Sequence, residues 1–440
     1  MNNSIQLRRL FTARTLFDNR GFTLVEMIVV CAIFVMVIMI TGSSFNTIIT
    51  QVVKLRASEE SNIEGIVGLE MMRHDIEQAG FGLPWVSMDD DNPLVLPDYD
   101  EAASPPHSNY NDGGTAGACR IPRAIVSGDN LASSVTNSRM ILPNTDYLAV
   151  KATSVGRTTA SQRWTYVTYF GAKEPVPIPP VTMLSDNIPN GAGVIVTRRQ
   201  MVEINGTNRF AAKLIYDDDP SKTSVKGYFY QPFPAPGNAL PLAWSPQMKE
   251  QVNFIYGVDD GALRMPFNRV NFFVARPQDT TQIPSVCAPN TGILYKTTVN
   301  HGNGQLTYIP LMDCVADIQV VLGFDMDGSG QVLAFSDANG TNVSGFPLKV
   351  GEDSLITAVQ NTLADASLLR ERLKVVKIYI LAQEGRLDTS INSKTPIVVG
   401  NALLGETTLT KSYDLAANNA LNYRWKVYKI IAKPKNFLNN

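Results

Sequence analysis

The longest apolar run of the chain lies near its N-terminus. Fourteen consecutive apolar residues occupy positions 27–40, and Glu26 is the only charged residue between positions 22 and 53. Extended to Val53, this segment is long enough to cross the hydrocarbon core of a membrane as a helix, which takes about 20 residues. The pattern therefore predicts a membrane-spanning helix.

Beyond Val53 the pattern becomes that of an amphipathic helix, with apolar residues recurring at intervals of three, four or their sum. The apolar stripe consists of Leu55, Ile63, Ile66, Leu69, Met72 and Ile76. Gly65 and Gly68 are expected to weaken this part, each by up to about 1 kcal/mol relative to alanine. Gly80, Gly82 and Pro84 supply a stop. We predict one helix over 22–80, with an apolar assembly half at 22–53 and an amphipathic half at 54–80.

The remainder of the chain reads as a β-rich globular domain over 81–440. Positions 81 to about 135 have little periodicity and many Pro, Asp, Asn and Gly residues, which predicts a long surface insertion. Short β-type runs follow, and one helix from Asp353 to about Leu373 interrupts them. The clearest runs are Tyr147–Ala152, Gly193–Ile204, Phe210–Tyr216, Arg269–Ala275, Leu306–Leu311, Val315–Phe324, Lys374–Ala382 and Tyr423–Ala432. The predicted class is α+β, a long N-terminal helix packed on a β-rich domain with large insertions.

Composition excludes several other classes of protein. Apolar residues make up 44% of the 440 residues and charged residues 18%, which excludes collagen, coiled-coil rods and wholesale disorder. A mean hydropathy of −0.03 excludes a polytopic membrane protein. With 38 Lys and Arg against 40 Asp and Glu, no overall field would attract a nucleic acid, and no nucleic-acid partner is expected.

The charges of the first residues orient the apolar helix. Positions 1–21 carry four arginines against Asp18, so the positive-inside rule leaves residue 54 onward outside the cytoplasm. A single-pass anchor and a secretory signal cleaved near Thr41-Gly42-Ser43 both fit this arrangement. Neither accounts for Glu26, because an ionised carboxylate in a membrane helix costs about 2.5–3.5 kcal/mol near the centre and less towards the interface. Glu26 therefore indicates a missing partner.

A third interpretation accounts for that glutamate. The sequence Gly21-Phe22-Thr23-Leu24-Val25-Glu26, between a basic leader and an apolar run, resembles the type IV prepilin processing signal. The resemblance implies that a prepilin peptidase removes the leader 1–21 by cutting between Gly21 and Phe22 and then methylates Phe22. It also implies that Glu26 pairs with the terminal amine of a neighbouring subunit, so that two opposite charges are buried together.

The last third of the chain is similar in order and spacing to PilW-type minor pilins, in the runs 317–328, 372–382 and 423–432. This resemblance implies a protein of the inner membrane with a periplasmic C-terminal domain, found on the pilus at the cell surface after assembly. Its implied partners are other major and minor pilins and the inner-membrane assembly platform. The large domain would be hard to pack at every position of a thin filament, which favours a few copies at the tip or base. A type II secretion pseudopilin and a calcium-dependent adhesin on a pilin stem are the alternatives.

The acidic loop after position 324 has the spacing of a calcium site. Asp325, Asp327, Ser329 and Gln331, with Gly330 at the bend, match the first positions of an EF-hand loop. The twelfth position is Ser336 rather than Glu, although Asp337 could complete the set. A polar hairpin turn is the alternative, and Ca²⁺ is the only cofactor for which the sequence offers a site.

Three cysteines lie beyond the membrane segment, in a setting expected to be oxidising. We favour a Cys287–Cys314 disulfide, but the sequence leaves either of them open as a partner for Cys119. Cys31 lies in the apolar run, where it is expected to act as a small apolar residue.

Catalytic motifs are absent from the sequence. The histidines are His74, His107 and His301, and no nucleophile elbow, phosphate loop or zinc-protease motif occurs. We therefore expect a structural and interaction protein rather than an enzyme.

Overall fold

The structure is a computed structural model that describes residues 23–86, 96, 98–114, 120–169, 187–204, 207–215, 229–235, 240–241, 244–246, 248–345, 354–400, 409 and 411–437. The chain forms two compact units, Met1–Arg56 and Ala57–Asn440. The predicted α+β class, with a long N-terminal helix and a large β-rich domain, is confirmed.

Three α-helices are present in the described residues: α1 (Leu24–Glu77), α2 (Leu355–Ala364) and α3 (Ala366–Arg372). The strands are β1 (Ile125–Gly128), β2 (Val135–Thr136), β3 (Arg139–Ile141), β4 (Tyr147–Ala152), β5 (Trp164–Thr168), β6 (Gly193–Ile204), β7 (Thr207–Ile215), β8 (Gln231–Pro232), β9 (Val252–Asp259), β10 (Asn268–Pro277), β11 (Gly292–Val299), β12 (Leu306–Phe324), β13 (Ala334–Ser336), β14 (Val343–Gly345), β15 (Leu373–Glu384), β16 (Ile397–Val399), β17 (Lys411–Tyr413) and β18 (Arg424–Ala432).

The main sheet is antiparallel and contains eleven of the described strands. Its path runs β1-β4-β10-β11-β12-β13-β14, with β15 and β18 continuing from β12, and β3 and β2 from β10. Strand β12 is the centre of this arrangement, because its first half pairs with β11 and its second half with β13 and β15.

The sequence pattern divides β12 into two runs, Leu306–Leu311 and Val315–Phe324, but the structure has one strand. The gap between the runs is an irregularity of register around Met312 to Asp317, where the partner changes. At Cys314 the backbone φ is 53°, a left-handed conformation that non-glycine residues seldom adopt. The polar interruption in the sequence is therefore a bulge within a strand.

A second, five-stranded sheet has the order β5-β9-β6-β7, with β8 paired to β6. It carries a separate apolar core that includes Val196, Ile255 and Trp244. Strands β16 and β17 form a small hairpin of their own.

The last turns of α1 lie against the main sheet, but the buried stripe differs from the predicted one. Leu69, Met72 and Ile76 are buried as expected, whereas Ile66 is 56% exposed. Glycines replace it on the contact face: a Cβ at Gly68 would lie 2.4 Å from the carbonyl oxygen of Leu311 in β12. The helix backbone thus approaches the strand too closely for any side chain at this position.

One buried ion pair reinforces this contact. Lys296 on β11 reaches the carboxylate of Asp75 on α1, with Nζ and Oδ2 2.6 Å apart and both side chains less than a tenth exposed. Burial raises the pKa of the Asp75 carboxyl, and the lysine opposes that shift. Lys296 therefore ties the helix to the sheet through a polar contact inside an otherwise apolar interface.

The helix predicted from Asp353 to Leu373 is wrong in its continuity. Asp353 lies outside the described residues, and the described part breaks at Asp365, which is extended. The Asp365 carboxylate accepts the backbone N–H groups of Ser367 and Leu368, each at 2.8 Å, and so caps a second helix. Leu373 is already the first residue of β15.

The stretch predicted as a surface insertion, 81 to about 135, is poor in regular structure but not confined to the surface. Its described residues Tyr99, Glu101, His107 and Ala124 are all nearly inaccessible to solvent. This segment covers one face of the main sheet, so its polar composition does not mean that it is solvated.

We predict that Gly68→Ala lowers the free energy of unfolding by about 1–3 kcal/mol, the usual cost of overpacking. The added methyl group meets a backbone carbonyl, which cannot rotate away, and this outweighs the helix propensity gained with alanine. Denaturant unfolding of the full chain in detergent measures the change.

Gly42→Ala is the matched control, because it adds the same methyl group to the same helix where nothing lies within 4 Å. It should leave the stability of the β-rich domain unchanged. Equal effects of the two variants would contradict the close contact at Gly68.

Candidate functional site

The N-terminal end of α1 is held by a reciprocal pair of side chains. The Thr23 backbone N–H and hydroxyl each donate to Oε2 of Glu26 at 2.9 Å, and the Glu26 N–H donates to Oγ1 of Thr23 at 3.3 Å. This is a capping box, in which two backbone donors at the start of a helix are satisfied by side chains. The Thr-x-x-Glu spacing is the sequence signal for it.

Glu26 therefore has a local role that a partner in another subunit does not exclude. The two donors of Thr23 both engage Oε2, and the side chain of Glu26 is exposed. The predicted processing residues Gly21 and Phe22 lie outside the described residues.

The first part of α1 has the properties of a membrane segment. Leu24–Phe45 is 22 residues long, is apolar enough to cross a membrane, and is not buried within the protein. Large apolar side chains along it are exposed, among them Phe34 at 65% and Met39 at 67%. Such exposure has a high free-energy cost in water and fits an apolar surrounding.

Comparison with known proteins bears on this same segment. Residues 16–42 match the prokaryotic N-terminal methylation motif. The matched range includes Gly21, Phe22 and Glu26 and the whole apolar run 27–40. No curated protein and no solved structure matches the chain.

The prepilin-type motif and the apolar helix together fit a type IV pilin or a pseudopilin. They imply processing by a prepilin peptidase and assembly with other pilins, and they are consistent with anchoring in the inner membrane. The prepilin-like motif points to a structural pilin rather than to an enzyme.

The predicted calcium ligands lie in the turn that follows β12. Asp325 is buried, and its Oδ1 and Oδ2 accept the backbone N–H groups of Gly328 and Gly330 at 2.8 Å each. Lys374 Nζ is 3.8 Å from the same Oδ2. The carboxylate of Asp325 is thus already surrounded by donors.

The other residues of this loop are similarly engaged. Asp327 and Ser329 accept the backbone N–H groups of Ser329 and Gln331, and Asp337 accepts those of Thr341 and Asn342 in its own turn. Within the described residues, no three His, Cys, Asp or Glu side chains are grouped so as to hold a metal. These contacts stabilise the two turns locally, and calcium binding stays a prediction.

Cys287 and Cys314 form a disulfide with an S–S distance of 2.00 Å, which joins the segment before β11 to the bulge in β12. Cys119 lies outside the described residues. Cys31 is exposed on the apolar part of α1.

A buried cluster of charges lies on the face of the main sheet opposite α1. Lys151 of β4 contacts the carboxylates of Glu101 and Asp112 at 2.8 and 2.6 Å, and Arg269 of β10 contacts Glu101 at 2.8 Å. These four side chains are at most 2% exposed. Arg123, which is 22% exposed, adds a 2.7 Å contact to Asp112.

The guanidinium of Arg269 is satisfied on all sides. It donates to Asn271 Oδ1, Asn111 Oδ1 and the carbonyl oxygen of His107, at 2.7 to 2.8 Å. Burial opposes ionisation of Asp112, yet Lys151 and Arg123 hold the pKa of that carboxyl below its usual value. The cluster fixes the segment 98–114 on the sheet.

The sequence gives only half of this cluster. Lys151 and Arg269 lie in strands that are rich in apolar residues, and a buried cation needs a counterion. Glu101 and Asp112 lie in a stretch with no periodicity, where no pattern distinguishes a buried carboxylate from a solvated one.

The histidines do not form a catalytic arrangement. Burial, reinforced by Arg269, lowers the pKa of His107 to about 3, and burial with Arg264 lowers the pKa of His301 to about 4. His107 contacts the Tyr147 hydroxyl at 3.1 Å, and His301 contacts Asn268 at 3.1 Å. Both rings are neutral at physiological pH and serve as hydrogen-bonding groups of the core.

Asp317 is a buried carboxyl whose ionisation opposes folding. Burial raises the pKa of this residue to about 6, although Lys411 at 3.2 Å and Gln319 at 3.0 Å favour the charged form. Between its ordinary pKa and about 6 the folded chain holds a proton that the unfolded chain releases. Stability conferred by the neutral carboxyl is therefore lost as pH rises through this window.

We predict that Asp317→Asn removes this pH dependence. Relative to the wild type, the variant should gain up to about 3 kcal/mol of unfolding free energy between about pH 4 and pH 7.5, from a shift of about two pKa units. Any loss from weaker contact between the new asparagine and Lys411 adds the same offset at each pH, because an asparagine side chain does not titrate. Denaturant unfolding of both chains across this range measures the difference, and parallel curves would contradict the raised pKa.

Proposed function

We propose that this protein is a minor pilin of a type IV pilus, of the PilW type. It is inserted in the inner membrane with its β-rich domain in the periplasm, and it is then incorporated in the filament, where it helps to start assembly. The observation that carries the proposal is the match of residues 16–42 to the N-terminal methylation motif on a helix that can span a membrane.

The size of the domain favours a low copy number. The second unit runs from Ala57 to Asn440, and its described residues include two large sheets with separate apolar cores. A domain of this bulk at every position of a thin filament would crowd its neighbours, so a few copies at the tip or base fit better.

In this mechanism, apolar helices of neighbouring subunits pack together and one ion pair sets their register. Cleavage after Gly21 leaves the charged amine of Phe22 two positions before Leu24, the first residue of the capped helix. Glu26, whose Oε2 holds the Thr23 donors, faces the neighbouring amine with its carboxylate. Burying both charges together avoids the cost of several kcal/mol that each would have alone.

The proposed register role can be separated from the capping role with two variants. Glu26→Gln keeps an oxygen that accepts from Thr23 and removes the charge, because Gln also serves in a capping box. Thr23→Ala keeps the charge and removes the hydroxyl half of the box, at a cost of about 1 kcal/mol of helix stability. We expect Glu26→Gln to lower filament number at least tenfold and Thr23→Ala to lower it little.

The effect of each variant on assembly is measured by electron microscopy. Filaments are counted in a deletion strain that is complemented with each variant. N-terminal sequencing of the membrane-bound protein provides the control, since each variant should begin at Phe22. Normal filaments with Glu26→Gln would overturn the ion-pair role, and a mature chain that begins at Met1 or near Ser44 would overturn the prepilin assignment.

The phenotype of the same deletion strain distinguishes a type IV pilus subunit from a secretion-system subunit and from an adhesin. Loss of pili on deletion supports the minor pilin, loss of protein secretion with pili intact supports a type II secretion pseudopilin, and intact pili with lost surface attachment supports an adhesin on a pilin stem. Co-purification of partner pilins provides an independent check.

Calcium binding by the Asp325 loop is a separate prediction. If the loop exchanges its backbone donors for Ca²⁺, then added calcium should raise the melting temperature of the wild type by a few degrees, because a ligand that binds only the folded state stabilises it. Asp325→Asn should abolish that rise. Asp279→Asn, which changes a capping carboxylate elsewhere, should keep it. If calcium does not change the melting temperature of the wild type, the loop is a polar hairpin turn and not a calcium site.

A further inference from the structure

The ammonium group of Lys151 lies between two carboxylates in the interior of the β-rich domain. Its Nζ is 2.6 Å from Oδ2 of Asp112 and 2.8 Å from both carboxylate oxygens of Glu101. The side chains of Lys151 and Glu101 are wholly inaccessible to solvent, and Asp112 is 2% exposed. The ring of Phe267 covers the amine at 5.3 Å.

Lys151 has two carboxylate partners, although one would be enough for a salt bridge. One carboxylate would neutralise the lysine, and the second is already neutralised by Arg269 at 2.8 Å from Glu101 Oε2. Buried ion pairs contribute little net stability, because desolvation offsets their attraction. A nucleophilic nitrogen, a carboxyl carbon and a second carboxyl group in one dry site are also the components of an amide-forming reaction.

We propose that Lys151 and Asp112 become joined by an intramolecular amide bond between Nζ and Cγ, with Glu101 as the catalytic group that moves the protons. The 2.6 Å contact is the hydrogen-bonded pair from which this bond forms.

The reaction needs no oxidant and no cofactor. A proton passes from the Lys151 ammonium to Oδ2 of Asp112, and the neutral Nζ then attacks Cγ. Glu101 takes a second proton from the nitrogen and returns it to the Oδ2 hydroxyl, which leaves as water when the C–O bond breaks. One C–N bond forms, one water is released, and Glu101 ends as the carboxylate it was.

Arg123 has the position to stabilise the charge that develops. Its Nε donates to Oδ1 of Asp112 at 2.7 Å, and its backbone N–H donates to Oδ2 at 2.9 Å. In the tetrahedral intermediate the negative charge is on Oδ1, directly against the guanidinium, which is the role of an oxyanion-hole donor. The same guanidinium makes the first proton transfer costly, so we expect the bond to form slowly after folding.

Asp112 is the more suitable acceptor of the two carboxyls. The oxygens of Glu101 are both occupied by donors other than the reacting amine, Oε2 by Arg269 at 2.8 Å and Oε1 by the Asp112 N–H at 2.6 Å. Proximity in a fixed geometry raises the effective concentration of the reacting groups by many orders of magnitude, about 10⁵–10⁸ M in well-oriented cases. The reaction also removes two charges from the interior.

The bond would change how the domain is held together. It would tie the irregular segment around Asp112 covalently to the last residues of β4, where Lys151 pairs with Arg269 of β10. A domain carried on a filament would then keep this covering segment in place under load.

Peptide mapping of the full chain purified from membranes tests the proposal. After reduction and denaturation, trypsin should yield one species that joins residues 74–120 to residues 140–157, with Lys151 uncleaved and the mass of one water missing. Fragmentation should place the link at Lys151 and Asp112. Separate linear peptides ending at Arg120 and Lys151 would overturn the proposal.

The loss of water alone does not establish the bond. Asp112 precedes Gly113, and a succinimide at that pair loses the same water but leaves two linear peptides, a result that would also overturn the proposal. Lys151→Arg keeps the positive charge and removes the nucleophile, and Glu101→Gln removes the proton carrier. Both variants should give only linear peptides, with folding checked by formation of the Cys287–Cys314 disulfide. Linked peptides from folded Glu101→Gln would overturn the catalytic role of Glu101. The peptide map of the wild type shows whether the amide bond exists, even if a variant fails to fold.

Discussion

Helix α1 meets the main sheet with backbone close to backbone, because glycine occupies the contact face where the helix crosses β12. The absence of a side chain at Gly68 lets the helix approach the Leu311 carbonyl, and Leu69, Met72 and Ile76 then fill the space beside it. Strand β12 in turn pairs with β11, β13 and β15 and holds the disulfide at Cys314. The position of the helix is therefore coupled to the centre of the sheet.

On the opposite face of the sheet a buried charge cluster lies beside an apolar cluster that includes Tyr147, Phe273 and Tyr295. Lys151 and Arg269 project from β4 and β10 into the interior, and Glu101 and Asp112 reach them from an irregular segment. A buried ionic cluster penalises every arrangement in which one member lacks its partner, so it specifies one position for the covering segment. Burial makes the cluster costly, and the packing that buries it also holds Lys151 Nζ 2.6 Å from Oδ2 of Asp112.

Several strands were predictable from their runs of apolar and β-branched residues, including β4 despite its buried Lys151, whereas β9 and β11 were not predicted. Tyr147–Ala152 and Gly193–Ile204 have the predicted bounds. Strands β9 and β11 contain buried Asn253 and Lys296, whose partners Trp244 and Asp75 lie on other elements. From the sequence alone, a polar residue within a strand is expected to face solvent, because its buried partner lies elsewhere in the chain. The buried face of α1 was predicted incorrectly at Ile66 for a related reason. The contact face includes Gly68, which has no side chain and therefore does not appear in an apolar pattern.

The sequence alone determined the features that depend on neighbouring residues. These are the apolar segment, the capping box that Thr23 and Glu26 form, the prepilin-type motif and the α+β class, since each follows from local spacing or composition. Only the tertiary structure decided which face of α1 is buried, which polar turns cover the sheet, and that Lys151 lies between Glu101 and Asp112. Those contacts join residues far apart in the chain, and their free energies arise from burial that no local pattern encodes.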